Sequence, residues 1–536
     1  MTPPRTPPRT AAHAPLRRLL GWPRAAHLHI ALALGLVAWA ALECFGPVRS
    51  QGIRAATYDM MQRHRLWASA PDPRLLIVDI DERSLADLSA EFGRWPWSRD
   101  TLATVLQHAQ SQGARALVFD ILFSDPDRLR PGGDRALDAA VQGGSIAIFE
   151  AVRLPAKNDA LSALALDRVP GLGVPPAAAS SPPAPRIALV LPFMKSMLDA
   201  GRIGTNTVQL DADGKLRRFA WAEPLQGWRV RSVPAAVAQA LGAPVDAADE
   251  HRLIAWRREP DAYPRVPFSQ VMACAEQSAR ADCPSLAGKI LIVGVTAPSL
   301  HDLVPSPLAA SHAGVDILAT LIDNALHQRA YREPGPVLRF LLALGALAVA
   351  GFATRRRAAS ATQIALIALP VGLALLGYAS LHSEWLYLDL MLPAGIALTF
   401  LSVVKLHDTL RRQAFGLRSP PQAGRFALTT GCEARCAEQL ERQVFDLAGR
   451  QGLAVSGGVH TSGMWGAGDS GWVLWNLDAA AAHALGDALR AAIPAAWTVP
   501  FAVTADPERD RHLALAARRA PAAVDEVSQG ADHAVV

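Results

Sequence analysis

Four aspartates stand where apolar runs end. Asp79 and Asp81 close RLLIVDIDE, Asp120 and Asp125 close ARALVFDILFSD, and Asp127 follows just beyond. Carboxylates at the C-terminal ends of buried strands lie at the edge where open α/β sheets take ligands. A D-x-D pair such as Asp79 and Asp81 suits a phosphatase, one acid as nucleophile and the other as general acid. That chemistry also needs a placed Lys and a Mg²⁺ site. No Thr follows the pair and no such partners stand out in the sequence, so no catalytic residue, metal or cofactor is expected. Two readings stay open. In one, the acids cap helices and tie loops by hydrogen bonds. In the other, Asp79, Asp81, Asp120 and Asp125 line a ligand or ion cleft. Thr296, Ser299 and Asp302 in VGVTAPSLHDL follow a further apolar run, and either face that cleft or pack their own loop. His301 reads as a surface residue rather than a metal ligand.

The elements that would carry these acids are legible. RLLIVDIDE and ARALVFDILF are near-continuous apolar strands, and a helix-like segment lies between them, with Ser98 as N-cap and Gly113 as stop. This strand–helix–strand order indicates a parallel pair. Further strands are expected at SIAIFEAV, RIALVLPF and GKILIVGV, whereas Val152–Pro185, rich in Ala, Pro and Ser, reads as a surface loop. Trp95 and Trp97 flank Pro96, a stiff block suited to core packing. DADG (Asp211–Gly214) lacks a full calcium-loop pattern and reads as a hairpin turn between TNTVQL and KLRRFAW. Cys274 and Cys283 can pair if their segment is exported. Cys432 and Cys436 have no second ligand pair for zinc, and Cys44 reads as a small apolar residue at a membrane edge.

The chain has 536 residues, 51% hydrophobic and only 19% charged, with net charge +5. Its Lys and Arg cluster beside apolar runs, which argues for membrane topology and against nucleic-acid binding. Residues 1–27 are basic, Pro-rich and acid-free, and disorder is expected there. Leu28–Phe45 has the length of a membrane span, and the region 28–46 reads as an uncleaved anchor, the rival being a cleaved signal peptide. Three more spans are read at Val337–Thr354, Ala361–Leu381 and Trp385–Val404, within 337–404. The basic N-terminus, Arg355–Arg357 and the KLHDTLRR exit all belong inside by charge. Four spans satisfy this, leaving 47–336 periplasmic and both termini cytoplasmic. Pro370, Pro393 and Asp389 are read as kinks and interfacial placement, not as a transport path.

The blocks LLIVDIDERSLADL, GRWPWSRDTLATVLQHAQSQGARALVFDILFSDPD, GRIGTNTVQLDADGKLRRF and LAGKILIVGVTAPSLHDLVPSPLAASHAGVDILATLIDNAL occur in this order. Together they resemble the second type of CHASE domain, the extracellular sensor of bacterial membrane receptors, across about Ile53 to Leu326. The resemblance implies a sensor after one N-terminal span, then three spans and a cytoplasmic output such as a cyclase or kinase. It implies a periplasmic ligand or envelope partner and a bacterial inner-membrane location; a homodimer is left open.

The output end departs from that pattern. After a linker at 405–424, the segment 425–536 reads β-α-β-β-α-β, a ferredoxin-like layout shared by cyclase palm domains. MWGAGDSGWVLW resembles the diguanylate-cyclase loop at Gly468 and Asp469, but Ser470 stands where that loop has Glu, and FALTT lacks a metal-holding Asp. His460 and His483 read as surface residues. The expectation is an α/β exported sensor, a four-helix anchor and a small, degenerate α+β cytoplasmic module that binds a protein partner without catalysing a reaction. An active cyclase-like enzyme and a structural envelope protein are the alternatives.

Overall fold

The computed structural model describes residues 25–46, 51–144, 146–176, 182–244, 252–277, 282–300, 302–355, 359–416, 424–430, 458–461, 469–477, 484, 487–488, 491 and 501–504. The expectations for residues 1–24, His301, Cys432, Cys436, His483 and the first cytoplasmic helix lie outside that set. The chain divides into two compact units. One comprises 49–335 with 376–389, and the other comprises 1–48, 336–375 and 390–536.

The first unit opens with helix α2 (Gln51–Arg63), which follows helix α1 (Ala25–Phe45) of the other unit in sequence. Then come strand β1 (Leu75–Ile80), helices α3 (Glu82–Phe92) and α4 (Arg99–Ser111), β2 (Ala116–Phe119), α5 (Pro131–Gln142) and β3 (Ala147–Arg153). The short β4 (Leu189–Val190), α6 (Lys195–Asp199) and β5 (Ile203–Thr205) lead to α7 (Val233–Ala240), β6 (Arg265–Pro267), α8 (Phe268–Glu276), β7 (Ile290–Val295) and α9 (Gly314–His327). The main sheet runs β6–β1–β7–β2–β3 with every neighbour parallel. β5 continues it in parallel beside β3, and β4 pairs with β3 antiparallel.

Alternation along each strand fills two cores. Leu76, Val78, Ile80, Leu117, Phe119, Phe149, Leu291 and Val293 face a core shared with α3, α4, α5 and α8. Leu75, Ile77, Val118, Ile148, Ile290 and Ile292 face the opposite core, under α7 and α9. Both faces are covered, as an all-parallel sheet requires. β1 and β2, read as a direct pair, are separated by β7; β7 lies far along the chain, so local pattern carries no trace of its insertion. Trp97 stacks on Phe268 at 5.2 Å and meets Trp95 edge-on at 5.0 Å, so this block serves the first core. The Trp95–Pro96 peptide is cis. Ser98 occupies the N-cap of α4 but uses its carbonyl, not its side chain, to hold Thr101 N–H.

Two expectations are corrected here. Val152–Pro185 is no mere surface loop, because Leu166, Val169 and Leu172 close a small core with Ile187, Ile203 and Val230. DADG does turn, with Gly214 N–H to Asp211 C=O at 2.8 Å and Asp211 N–H to Lys215 C=O at 2.9 Å, but beyond that closure its flanks form no strand ladder with each other. Instead the guanidinium of Arg217 is buried between Asp59, Asp211 and Asp213. Cys274 and Cys283 form a disulfide with Cα atoms 5.7 Å apart.

The second unit packs α1 against α10 (Pro336–Arg355) and α12 (Met391–Gly416), with α11 (Ala359–Ser380) adding Ala365, Leu366 and Leu369. Ala40, Ala343 and Ala350 sit in that core, where small side chains let helices approach closely. Among the described residues, three apolar stretches are long enough to cross a membrane, Leu28–Phe45, Pro336–Thr354 and Thr362–Ser383; Met391–His407 is apolar but shorter. The last span is therefore corrected: Trp385–Leu390 is not helical, and Pro393 falls in the first turn of α12, where its missing N–H costs nothing. Strands β8 (Gly424–Thr430), β9 (Gly458–Thr461), β10 (Asp469–Leu477) and β11 (Phe501–Thr504) form an antiparallel sheet in the order β9–β10–β8–β11.

Residues 376–389, the end of α11 and the stretch that leads to α12, belong to the α/β unit, and polar contacts seat them there. Glu384 is buried; it accepts from Ser69 N–H at 2.8 Å and Arg65 at 3.1 Å, and Arg329 lies 3.3 Å away. Arg257 is 3.8 Å from the same carboxylate. Tyr331 donates to Leu381 C=O at 2.9 Å, and Asp389 accepts from Arg54. Burial pushes the Glu384 carboxyl up, but the Ser69 donor and then Arg257 and Arg65 hold it below the usual glutamate range. Its stabilisation is therefore present above about pH 4.5 and lost on acidification below it. Glu384→Ala should lower the stability of the α/β unit by about 3–5 kcal/mol, since it strands buried guanidiniums. Urea unfolding of the full chain in nanodiscs, followed by tryptophan fluorescence, measures this, and a loss under ~1 kcal/mol would show the cluster tolerates an empty centre.

Candidate functional site

The parallel strands β1, β7, β2 and β3 end on one edge of the sheet, and the predicted site residues separate there into distinct groups. Asp79, the fifth residue of β1, is buried; it accepts from Thr296 Oγ1 at 2.6 Å and from Arg265 at 3.3 Å. Arg265 reaches on to Asp316 at 3.0 Å. Burial pushes both acids up, Asp316 to about 6, although Arg265 pulls each back. Asp79 and Thr296 are thus brought together, but their polar atoms are spent on each other and on Arg265. Asp81 lies near enough for its charge to push Asp79 up further, but its own carboxylate accepts Ser84 N–H at 2.7 Å as the N-cap of α3. Asp125 is exposed and bonded to Ser124, and Asp127 holds the Leu129 and Arg130 amides. Short-range hydrogen bonds thus occupy Asp81 at the first turn of α3 and Asp125 beside Ser124.

Asp120 is different. It continues the β2 ladder through its N–H to Val293 C=O, and its carboxylate accepts Asn206 Nδ2 at 2.8 Å. The same amide reaches Glu150 Oε2 at 3.1 Å. Asn206 follows β5, and Glu150 lies on β3, so the parallel β3–β5 pairing brings them together. Asp302 adds a further negative charge felt by both carboxyls. The Asp302 carboxylate also sits against Gly314, the first residue of α9. A Cβ there would lie 2.3 Å from Asp302 Oδ2, so only glycine admits this approach to the positive end of the helix.

Burial first, then the charges of Glu150 and Asp302, drive the Asp120 carboxyl well above its usual range. Burial and Asp302 push Glu150 to about 7, with Asn206 opposing. Among the described residues no Lys, Arg or His forms an ion pair with Asp120, Glu150 or Asp302. Two carboxylates sharing one amide donor, with the charge of a third beside them, favour protons or a cation. Glu150 was missed in the sequence because SIAIFEAV was read only as a strand, and Asn206 because TNTVQL was read only as a flank of the DADG turn. The signal available was an acid interrupting an apolar run near its C-terminal end.

Two other features are less suited to this chemistry. Asp72, Asp323 and His327 place ligand atoms within 4.8 Å of one another. Arg74 already clasps Asp72, however, and Tyr263 and Arg329 reach Asp323, so cationic and phenolic groups fill that space. A groove of about 620 Å³ beside α5 and α6, lined by Asp138, Phe193, Lys195 and Arg202 among others, contains none of the predicted site residues.

Because Glu150 titrates near 7, the folded unit holds a proton that the unfolded chain releases near 4.5. Stability therefore falls as pH rises through that window, by on the order of 3 kcal/mol for this group. Glu150→Gln should flatten that fall, measured as melting temperature between pH 5 and 8 by tryptophan fluorescence of the full chain in nanodiscs. An unchanged slope would assign the titration elsewhere.

Among known proteins, no curated protein and no solved structure matches this chain. The model of the CHASE2 domain matches residues 31–353, taking in the 49–335 part of the α/β unit together with most of α1 and of α10. The chain belongs to the CHASE2 domain family, a family of extracellular sensory domains.

Proposed function

We propose that the chain is a transmembrane sensory receptor of the bacterial inner membrane. Its α/β unit is periplasmic and carried by four spans, and it passes a ligand signal to a non-catalytic cytoplasmic module. The observation that carries this reading is the seating of 376–389 in the α/β unit. A segment that leads directly into two apolar helices is held by Arg65, Arg257 and Arg329 around Glu384. A change in the α/β unit has a covalent and ionic route to the ends of α11 and α12. For a ligand to use it, it must bind two states of the unit unequally. The basic N-terminus, Arg355–Arg357 and the KLHDTLRR exit support both termini inside and a fourth span in α12. The disulfide supports an oxidising compartment for the α/β unit.

The ligand face we favour is Asp120, Glu150, Asn206 and Asp302, with Asp79 and Thr296 as its fixed neighbours, and the occupant carries positive charge. Calorimetric titration of the full chain in nanodiscs with Ca²⁺, Mg²⁺ and spermidine should give binding that Asp120→Asn with Glu150→Gln weakens at least tenfold, on the order of 1.4 kcal/mol or more. Binding indifferent to both substitutions would dismiss this edge.

At the output end, the order β9–β10–β8–β11 is the order a ferredoxin-like module takes, which keeps a cyclase-like ancestry in view. Two-metal phosphoryl transfer needs carboxylates, and Ser470 and the acid-free strand FALTT do not supply them. The full chain given ATP or GTP with Mg²⁺ or Mn²⁺ should show no turnover. Turnover abolished by Asp469→Ala would make the chain an enzyme. In cells, deletion of 425–536 should remove the same response as deletion of the sensor; a response that survives the first deletion alone would favour a structural envelope role.

A further inference from the structure

Helix α2 is amphipathic in the inverted sense. Its buried face is largely polar: Asp59 pairs with Arg217 and Lys215, Gln62 donates to Tyr58, and Tyr58 donates to Ile254 C=O. Its exposed stripe is apolar, with Ile53 71% and Met60 55% exposed, and Ala56 between them. The exposed apolar surface continues past the helix in Leu66 and Trp67, the latter 70% exposed. Within the same unit, the 376–389 segment lies against this region. Tyr378 Oη accepts Leu66 N–H and donates to His64 C=O, and the Trp67 ring meets His382 at 5.1 Å. That segment exposes Trp385 as well, at 59%.

Single exposed apolar residues on a protein surface need no explanation, but several large ones gathered in two segments that touch each other do. Two sequence neighbourhoods carry this one, and both adjoin apolar helices: α2 follows α1 after residues 46–50, and 376–389 joins α11 to α12. The composition is also specific. Trp67, Trp385, Tyr378 and His382 present an apolar body with a polar tip, and Arg63 and His64 are exposed at the end of α2. That mixture suits the lipid headgroup layer, where one side of a ring is apolar and the other wet.

We propose that α2 and the Trp67–Trp385 surface form an interfacial platform that lies on the lipid headgroup layer, with Ile53 and Met60 dipping toward the acyl chains. An apolar stripe on one face of a short helix is the pattern of helices lying in the interface plane. The proposal rests on the membrane reading of the apolar helices and is independent of what the sensor binds.

Site-directed spin labelling of the full chain in phosphatidylcholine nanodiscs tests it, with Cys44, Cys432 and Cys436 replaced by Ser and the Cys274–Cys283 disulfide kept. Nitroxides at Ile53→Cys and Met60→Cys should collide severalfold more with oxygen, relative to a water-soluble nickel chelate, than one at Leu161→Cys, an exposed residue remote from these segments in sequence. A label at Phe352→Cys on α10 reports whether that helix is in lipid. Lipid contact at 352 with water-like values at both 53 and 60 would overturn the platform while leaving the membrane reading intact. Water-like values at 352 would overturn both. Spin–spin broadening at 53 and 60, with both oxygen and nickel excluded, would overturn it in favour of a contact between two copies of the chain.

Discussion

Three guanidiniums, Arg65, Arg257 and Arg329, converge on one carboxylate at Glu384. Removing charges from water is costly unless the group is paired and hydrogen-bonded, so this cluster holds only while all its members are present. They come from the end of α2, the stretch before β6, the stretch after α9 and the segment between the last two apolar helices. Arg257 also reaches Asn324, and Arg65 donates to Tyr331, so the cluster ties into the C-terminal half of α9. Glu384 itself has φ of 56°, a left-handed backbone that costs a non-glycine residue roughly 1–2 kcal/mol. The surrounding ion pairs over-determine that conformation, the condition under which such strain persists.

At the far side of the same unit, the balance of charge is reversed. Asp120, Glu150 and Asp302 crowd together with one amide between two of them. One pole sets three guanidiniums against two buried acids, Glu384 and Asp323; the other carries an excess of acid with protons as its default partner. Acidification therefore acts on the two oppositely, loosening the Glu384 pole at low pH and relieving the Glu150 pole from about 7 downward. The parallel sheet lies between these contributions, stiff because both of its faces are packed.

Local pattern carried much of this architecture. The apolar strands ending in Asp79 and Asp120, the helix stop at Gly113 and the long apolar stretches were all readable because period and punctuation are short-range signals. Asp81 at its N-cap follows from the same local rules. What stayed hidden was long-range: β7 inserting between β1 and β2, Glu150 meeting Asn206 across β3 and β5, and Arg217 folding over DADG. Hydropathy also misled at Trp385–Leu390, where apolar composition continued the run but Glu384, Tyr387 and Asp389 drew the backbone into the α/β unit. The resemblance to a sensory family rested on motif order and matched the family that covers 31–353, yet the motif acids Asp81 and Asp125 turned out to serve their own loops.

The two-part makeup of the α/β unit bears on how such sensory domains can be recombined. Fusing the sensor to a different set of helices is usually imagined as a cut at one junction, here near Gly335. This unit has a second piece, Leu376–Asp389, that arrives only after two apolar helices have been made. A soluble fragment ending at Gly335 would carry Arg65, Arg257 and Arg329 without Glu384, leaving only Asp323 for the last two. A chimera would have to inherit the loop between its last two helices along with the sensor. The part that can be exchanged is therefore the sensor together with that loop, two segments separated in the gene and inseparable in the fold.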